Sequence, residues 1–175
     1  VEIALSLKDK LHSGEVRLVL VAGVHLDVNK YFKEELKKIG LASKIGKEVQ
    51  IIFSKGKDEY FTKFNEALRT TDILWTKPSE LSFYSALGLP IIMSPPVGSQ
   101  EKFNRKWLRA IGAGIAQEKV KFTHEWLYDW LESGWLAEAA MQGFFEAAKY
   151  GSYNIDNLIC KRAAHVEQFK TVLQY

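Results

Sequence analysis

Residues 71–116 decide the fold class, and they read TDILWTKPSELSFYSALGLPIIMSPPVGSQEKFNRKWLRAIGAGIA. Short apolar runs at residues 72–76 and 90–93 have the composition of buried strands. Between and after them, residues 81–87 and 100–111 have the apolar spacing of helices. Strands that alternate with helices predict a parallel sheet, because a parallel connection needs a crossover long enough to hold a helix.

The same alternation extends to both sides of this stretch. Upstream, the predicted elements are a helix, a strand, a helix, a strand and a helix, at residues 2–12, 16–22, 30–39, 49–53 and 60–68. In the last of these helices the periodicity places Phe61 toward the core. Downstream, a short edge strand is predicted within residues 115–120, and only helices follow from residue 123, with breaks at Gly134 and Gly151.

These elements predict a Rossmann-like α/β fold. We expect a parallel sheet of at least four strands with helices on both faces, followed by a helical C-terminal segment. The predicted boundary divides the chain into a nucleotide-sugar-binding half at residues 1–122 and a helical segment at 123–175 that packs on it. The segment carries an aromatic cluster from which we expect an exposed apolar patch; its members are Trp126, Trp130, Trp135, Phe144 and Phe145. Within it, the spacing of Trp126 and Trp130 is typical of core packing.

Composition and charge exclude several classes of function. The 175 residues carry a formal net charge of +3, which is too small to indicate a nucleic-acid partner. Basic residues such as Lys37, Lys38, Lys55 and Lys57 are interrupted by acids and apolar residues, so we interpret them as solvated helix faces rather than a stripe.

The single cysteine and the four histidines predict neither a disulfide nor a metal site. Cys160 has no partner for an internal disulfide, and the histidines lie far apart, so no metal site is predicted. No signal peptide or bilayer-spanning run is visible, and we expect a cytoplasmic protein. Membrane association is left open, since nothing in the sequence indicates it.

Common phosphate-binding and catalytic motifs are absent. Gly56-Lys57 lacks the upstream glycine and the following hydroxyl residue of a P-loop, and the first strand is not followed by a three-glycine dinucleotide fingerprint. No nucleophile elbow is present. The sequence therefore nominates no catalytic residue and predicts no cofactor.

Four motifs in residues 71–116 match a known pattern in order: Thr76-Lys77-Pro78, Ala86-Leu87, Gly88-Leu89-Pro90, and Gln100-Glu101 with Asn104. The stretch resembles the C-terminal, donor-binding half of GT-B glycosyltransferases. It is most similar to the group of the peptidoglycan N-acetylglucosaminyltransferase and monogalactosyldiacylglycerol synthase. About two-thirds of the chain follows the element order of that half-domain.

The resemblance implies a site for a nucleotide diphospho-sugar. The loop and helix start at Ser79, Glu80, Leu81 and Ser82 would hold the diphosphate, because free backbone amides at a helix start suit phosphate. The nucleoside would lie near Ser85. The donor sugar would be bound by Gln100, Glu101 and Asn104.

The chain departs from the family pattern at the predicted phosphate loop. Ser79 and Glu80 replace two glycines, and Glu80 brings an anion beside the phosphates. Ser85 stands where the family has a glutamate that holds the ribose. These departures favour weakened donor binding.

The resemblance implies glycosyl transfer from a nucleotide diphospho-sugar to an unidentified acceptor. We expect a partner for this half, either an N-terminal acceptor-binding domain of the same, longer protein or another chain. Two alternatives stay open: a non-catalytic glycosyltransferase-like domain with an interaction or regulatory role, and a GT-B sugar epimerase.

Overall fold

Parallel strands alternate with helices in the computed structural model, which describes residues 1–79 and 81–160. The strands in this part of the chain are β1 (Leu18–Gly23), β2 (Val49–Phe53), β3 (Leu74–Thr76), β4 (Ile91–Met93) and β5 (Gly114–Ala116). The helices are α1 (Glu2–Ser6), α2 (Lys8–Ser13), α3 (Leu26–Lys38), α4 (Lys57–Leu68), α5 (Leu81–Ala86), α6 (Ser99–Ala110), α7 (Thr123–Glu132), α8 (Trp135–Glu146) and α9 (Gly151–Cys160). Short 3-10 turns lie at Ala42–Lys44 and Val120–Phe122.

The chain divides into two compact units. Among the described residues, the first comprises residues 1–71 and 118–128, and the second comprises residues 72–79, 81–117 and 129–160. The boundary predicted at residues 122 and 123 is a different division and stays a prediction.

The first unit is built on the parallel pair β1 and β2, in which Leu18 pairs with Val49. Both strands contact α3 and α4. The core of this unit is aliphatic; its most deeply buried members are Leu11, Leu36, Leu41, Val49 and Ile52. The helix α3 ends where predicted, because Gly40 takes a φ of 80° that closes the helix with a backbone bond from its amide to the Lys37 carbonyl.

The second unit is built on three parallel strands in the order β3, β4, β5. The central strand β4 is fully buried, and α5, α6 and α8 supply the helical layers around the core. The core cluster consists of Leu81, Ile91, Met93, Leu108, Ile111, Ala113 and Ala147. Gly114 on β5 is required by close packing, since a Cβ there would lie 2.7 Å from the Ile91 carbonyl oxygen.

The predicted α/β class is confirmed, with parallel strands flanked by helices in a Rossmann-like arrangement. The strands pair as one sheet of two and one of three rather than as a single sheet of four. The predicted orientation of Phe61 is wrong, because its side chain on α4 is 55% exposed. The helices predicted after residue 123 are observed as far as Cys160, the last residue of α9, and residues 161–175 lie outside the described residues.

Candidate functional site

Two loops of the second unit leave its sheet at the same edge. The strands β3 and β4 pair in parallel, with Thr76 opposite Met93, so the segments that follow them begin side by side. One loop begins at Lys77 and precedes α5, and the other, residues 94–98, leads into α6. Ligands of open α/β sheets bind at this carboxyl edge of the strands.

Asn104 joins these two segments. Its side-chain amide nitrogen on α6 donates to the backbone carbonyls of Pro78 and Ser79, each at 3.0 Å. The side chain of Pro78 is itself buried. The hydrogen bonds therefore fix the loop after β3 against the helix that follows β4, and Asn104 contributes to the site by positioning backbone.

The start of α6 presents the two other residues predicted to bind the sugar. The carboxylate of Glu101, in the first turn, accepts a hydrogen bond of 2.7 Å from the backbone N–H of Val97. This bond closes the entry of the helix, and the macrodipole favours an anion there. Gln100 is exposed beside it, so its amide is accessible to a ligand.

The predicted phosphate segment at the start of α5 offers fewer amides than the sequence suggests. The backbone N–H of Ser79 donates to the Lys77 carbonyl at 2.7 Å. Glu80 lies outside the described residues. The side chain of Leu81 is buried, whereas Ser82 is exposed. The backbone amides of both residues lie in the first turn of α5, where the helix itself provides no carbonyl acceptor.

Ser85, the predicted nucleoside contact, points into its own helix. The residue is fully buried, and its hydroxyl lies 2.9 Å from the Leu81 carbonyl oxygen and 3.1 Å from that of Ser82. A hydroxyl engaged in this way satisfies helix carbonyls rather than a ribose. The contact between Ser85 and a nucleoside stays a prediction.

The helix α6 carries a basic surface that was not predicted. An open depression of about 600 Å³ lies along this helix, lined by Pro96, Lys102, Arg105, Lys106, Arg109 and Ala110. The four basic residues lie at spacings of three, four and seven, which places them on one helical face. The interpretation that basic residues form no stripe is therefore wrong for α6, and the spacing of KFNRKWLR is the signal that reveals it.

The part of the chain that the structure describes contains neither a metal-binding cluster nor a membrane-spanning helix. No group of three or more histidine, cysteine, aspartate or glutamate side chains in that part of the chain could hold a metal ion. None of the helices described there is long and apolar enough to cross a membrane.

Comparison with known proteins gives one informative match. The chain is 31% identical over 128 residues to a processive diacylglycerol β-glucosyltransferase of Bacillus pumilus (strain SAFR-032). In sequence, the chain is glycosyltransferase-like. The match covers 60% of this chain but 32% of the relative, so the chain spans about a third of the relative's length. No family model and no solved structure matches the chain.

Proposed function

We propose that this chain is the donor-binding part of a glycosyltransferase that uses a nucleotide diphospho-sugar. The observation that carries the proposal is the pair of adjacent strand-end loops, joined by Asn104, in a chain similar to a glycosyltransferase. In the proposed complex the amides of Leu81 and Ser82 contact the diphosphate. Gln100 and Glu101 contact hydroxyls of the sugar.

The proposed role is to hold and orient the donor. Fixed amides at the start of α5 need little reorganisation when a phosphate approaches them. The two Asn104 hydrogen bonds already hold the loop in the free protein. The loop therefore loses less conformational entropy when the donor binds, which is the physical basis of preorganised sites. No residue of this chain is proposed to act as an acid or base.

The relative's name suggests the first donor and acceptor to examine. That protein is named as a β-glucosyltransferase acting on diacylglycerol. We therefore propose a glucose-bearing nucleotide as donor and a lipid alcohol as acceptor for the intact protein.

A non-catalytic domain is the second candidate, and two contacts favour it. The Ser79 amide is occupied by the Lys77 carbonyl, and the Ser85 hydroxyl is buried within α5. Both groups would have to change partners to serve a nucleotide in the way the resemblance implies.

Calorimetric titration of the chain with UDP, UDP-glucose and GDP distinguishes the two candidates. The donor-binding proposal expects one of these nucleotides to bind. Asn104→Ala then weakens its binding by about 5- to 30-fold, because loss of the two hydrogen bonds that hold the loop costs on the order of 1–2 kcal/mol. Asn65→Ala, which removes an exposed amide from α4, is the matched control and should bind as the native chain does.

Absence of binding for every nucleotide would support the non-catalytic candidate. Equal affinities for the native chain and the Asn104→Ala variant would show that the joined loops are not the binding site.

A further inference from the structure

The outer face of α6 concentrates positive charge. Four basic side chains fall within a sector of about 100° around the helix and span about 10 Å along its axis; they are Lys102, Arg105, Lys106 and Arg109. Three of them are exposed and Arg105 is half-buried. None of the four forms an ion pair with any residue that the structure describes. We call these four residues the α6 basic stripe.

The helix α7 carries a row of negative charge with the same spacing. Its acids Glu125, Asp129 and Glu132 fall within a sector of about 60° and also span about 10 Å. All three side chains are exposed. Among them only Glu125 has an ion-pair partner in the described part of the chain, the imidazole of His124 at 3.5 Å. We call these three acids the α7 acidic stripe.

Both stripes face outward because the other side of each helix is buried. On α6, Leu108 is fully buried and Trp107 packs against the core cluster of the second unit. On α7, Trp126, Leu127 and Trp130 are buried on the side opposite the acids. These buried side chains keep each helix from turning about its axis, so the charges remain at the surface.

The two helices separate charges that other helices of the chain combine. On α3 and α4, lysines pair with glutamates of the same helix, as Lys38 does with Glu35 and Lys63 with Glu59. By contrast, the one acid of α6, Glu101, accepts a backbone hydrogen bond, and α7 contains no lysine or arginine. Interleaved charges suffice for a solvated helix face. Two rows of opposite sign and equal length therefore indicate a binding partner.

We propose that the α6 basic stripe of one copy of this chain binds the α7 acidic stripe of a second copy. Because the rows have the same length and spacing, the cations of one helix meet carboxylates along the whole of the other. Every copy offers one stripe of each sign, so the contact is heterologous. Exposed ion pairs are individually weak, and the association is therefore weak and dependent on salt. The inference does not rest on the proposed function.

A second copy accounts for both stripes, whereas a separate anionic partner accounts for one. A soluble phosphate compound or a nucleic acid would neutralise the α6 basic stripe and leave the α7 acidic stripe in water. A nucleic acid is also served by cations that follow its backbone over a longer path than the roughly 10 Å of this row.

Sedimentation velocity of the full chain provides the first test. In about 0.05 M sodium chloride we expect the sedimentation coefficient to rise with protein concentration up to about 0.5 mM, and in about 0.5 M sodium chloride to stay at the monomer value, because salt screens exposed charges. A monomer under both conditions would overturn the proposal. An association that persists at high salt would also overturn it, since apolar contacts behave in that way.

Charge-reversed variants locate the two surfaces. The α6-reversed variant carries Lys102→Glu, Lys106→Glu and Arg109→Glu, and the α7-reversed variant carries Glu125→Lys, Asp129→Lys and Glu132→Lys. In each variant alone the dissociation constant should rise by about 10-fold or more, because like charges then face each other. An equimolar mixture of the two should associate, because the unchanged row of each meets the unchanged row of the other. A mixture that stays monomeric would contradict the proposal.

Two controls separate the stripes from net charge. Each reversal changes the charge by two, so the α6-reversed variant falls from +3 to −3, whereas the variant with all six reversals keeps +3 and should associate as the native chain does. The matched control reverses three exposed lysines of α3 and also has a charge of −3; its substitutions are Lys30→Glu, Lys33→Glu and Lys37→Glu. It should keep the native affinity, and a loss equal to that of the α6-reversed variant would show a net-charge effect and contradict the proposal.

Glutamine variants keep the test decisive if a reversed variant does not fold by circular dichroism. Glutamine at the same three positions of either stripe removes the attraction without adding repulsion. The dissociation constant should then rise by about fivefold, because three exposed ion pairs are lost. An unchanged dissociation constant in the glutamine variants of both stripes would overturn the proposal.

Discussion

Asn104 defines the candidate site through a single amide group. Its nitrogen is shared between two backbone carbonyls of a neighbouring loop, at Pro78 and Ser79. An asparagine can make these bonds because its amide carries two N–H groups, which an aspartate in the same place would lack. The residue that family resemblance assigns to sugar binding thus also fixes the loop that is predicted to bind phosphate.

Glu80 provides a prediction at the same scale, based on its charge and its place in the sequence. Beside a diphosphate, a carboxylate opposes binding by on the order of 1 kcal/mol or more. Glu80→Gly should therefore tighten the binding of a nucleoside diphosphate by about 5- to 10-fold, measured by calorimetry.

The matched variant Glu80→Gln separates charge from backbone freedom. It removes the anion but keeps a side chain of the same length, so a purely electrostatic effect should appear in both variants. If neither variant changes the affinity, Glu80 does not face the phosphates and the assignment of this loop is wrong.

At the scale of elements, residues 49–53 show what sequence predicts well. A β-branched run between polar residues is observed as β2 with the predicted bounds, because burial selects such residues. The segment 2–12 is less well predicted, since it forms two helices separated at Leu7. The spacing of its apolar residues fits one continuous helix. The break at Leu7 depends on tertiary packing, which a local sequence pattern does not reveal.

The side-chain contacts within the candidate site were predicted less well than the helices and strands that bear the side chains. Gln100 and Glu101 do lie at the start of a helix after β4, as the motif indicates. The direction of the Ser85 hydroxyl depends on the carbonyls of its own short helix, and the partners of Asn104 lie 25 and 26 residues away. Contacts of that separation become visible only once the strands are paired.

Gly143 controls how closely α8 approaches α5. A Cβ at this position would lie 2.9 Å from the Ser85 carbonyl oxygen and 3.1 Å from the Ala113 Cβ. Gly143→Ala should therefore lower the free energy of unfolding by about 1–2 kcal/mol, since overpacking outweighs the gain in helix propensity.

Denaturant unfolding measures this effect, and Gly151→Ala is the control. Gly151 begins α9, and a Cβ there would meet no atom within 4 Å. Unchanged or increased stability of Gly143→Ala would show that the two helices separate easily at this contact.

A cluster of three side chains connects α7 to α2 within the first unit. Lys10 lies 2.8 Å from the Glu15 carboxylate and 4.5 Å from the centre of the Tyr128 ring. Burial raises the pKa of Tyr128 to about 12, and its hydrogen bond to Glu15 acts in the same direction. The pKa of Glu15 is lowered, first by the hydrogen bond from Lys10 and then by that from Tyr128.

These shifts predict a pH dependence of stability. An unfolded tyrosine ionises near pH 10, so the contribution of Tyr128 is complete below that pH and is lost as the pH rises toward about 12. The stability difference between the native chain and Tyr128→Phe should therefore be constant below about pH 10 and shrink between about pH 10 and pH 12 in urea unfolding. A constant difference for Tyr128→Phe over this pH range would contradict the assignment.

At the scale of the whole molecule, the C-terminal helices leave apolar side chains uncovered. Trp126 and Trp130 are buried, which confirms the prediction that this pair is core. The exposed part of the predicted aromatic cluster is on α8, where Phe144 is 49% and Phe145 72% exposed, and Ile159 on α9 is 73% exposed. Surfaces of this kind mark interaction sites on soluble proteins.

We propose that a second glycosyltransferase half, in the same polypeptide or in another, covers these side chains. The chain alone should then bind a hydrophobic dye such as anilinonaphthalene sulfonate. Phe145→Gln with Ile159→Gln should reduce the dye fluorescence by roughly a quarter, because these are the two most exposed of the seven large apolar side chains that α8 and α9 leave exposed. Phe61→Gln, which removes an exposed phenyl group from α4 of the first unit, serves as the control and should leave the fluorescence nearly unchanged. Equal fluorescence for the native chain and the double variant would show that α8 and α9 present no continuous apolar surface. In that case the proposed second half would have to bind elsewhere.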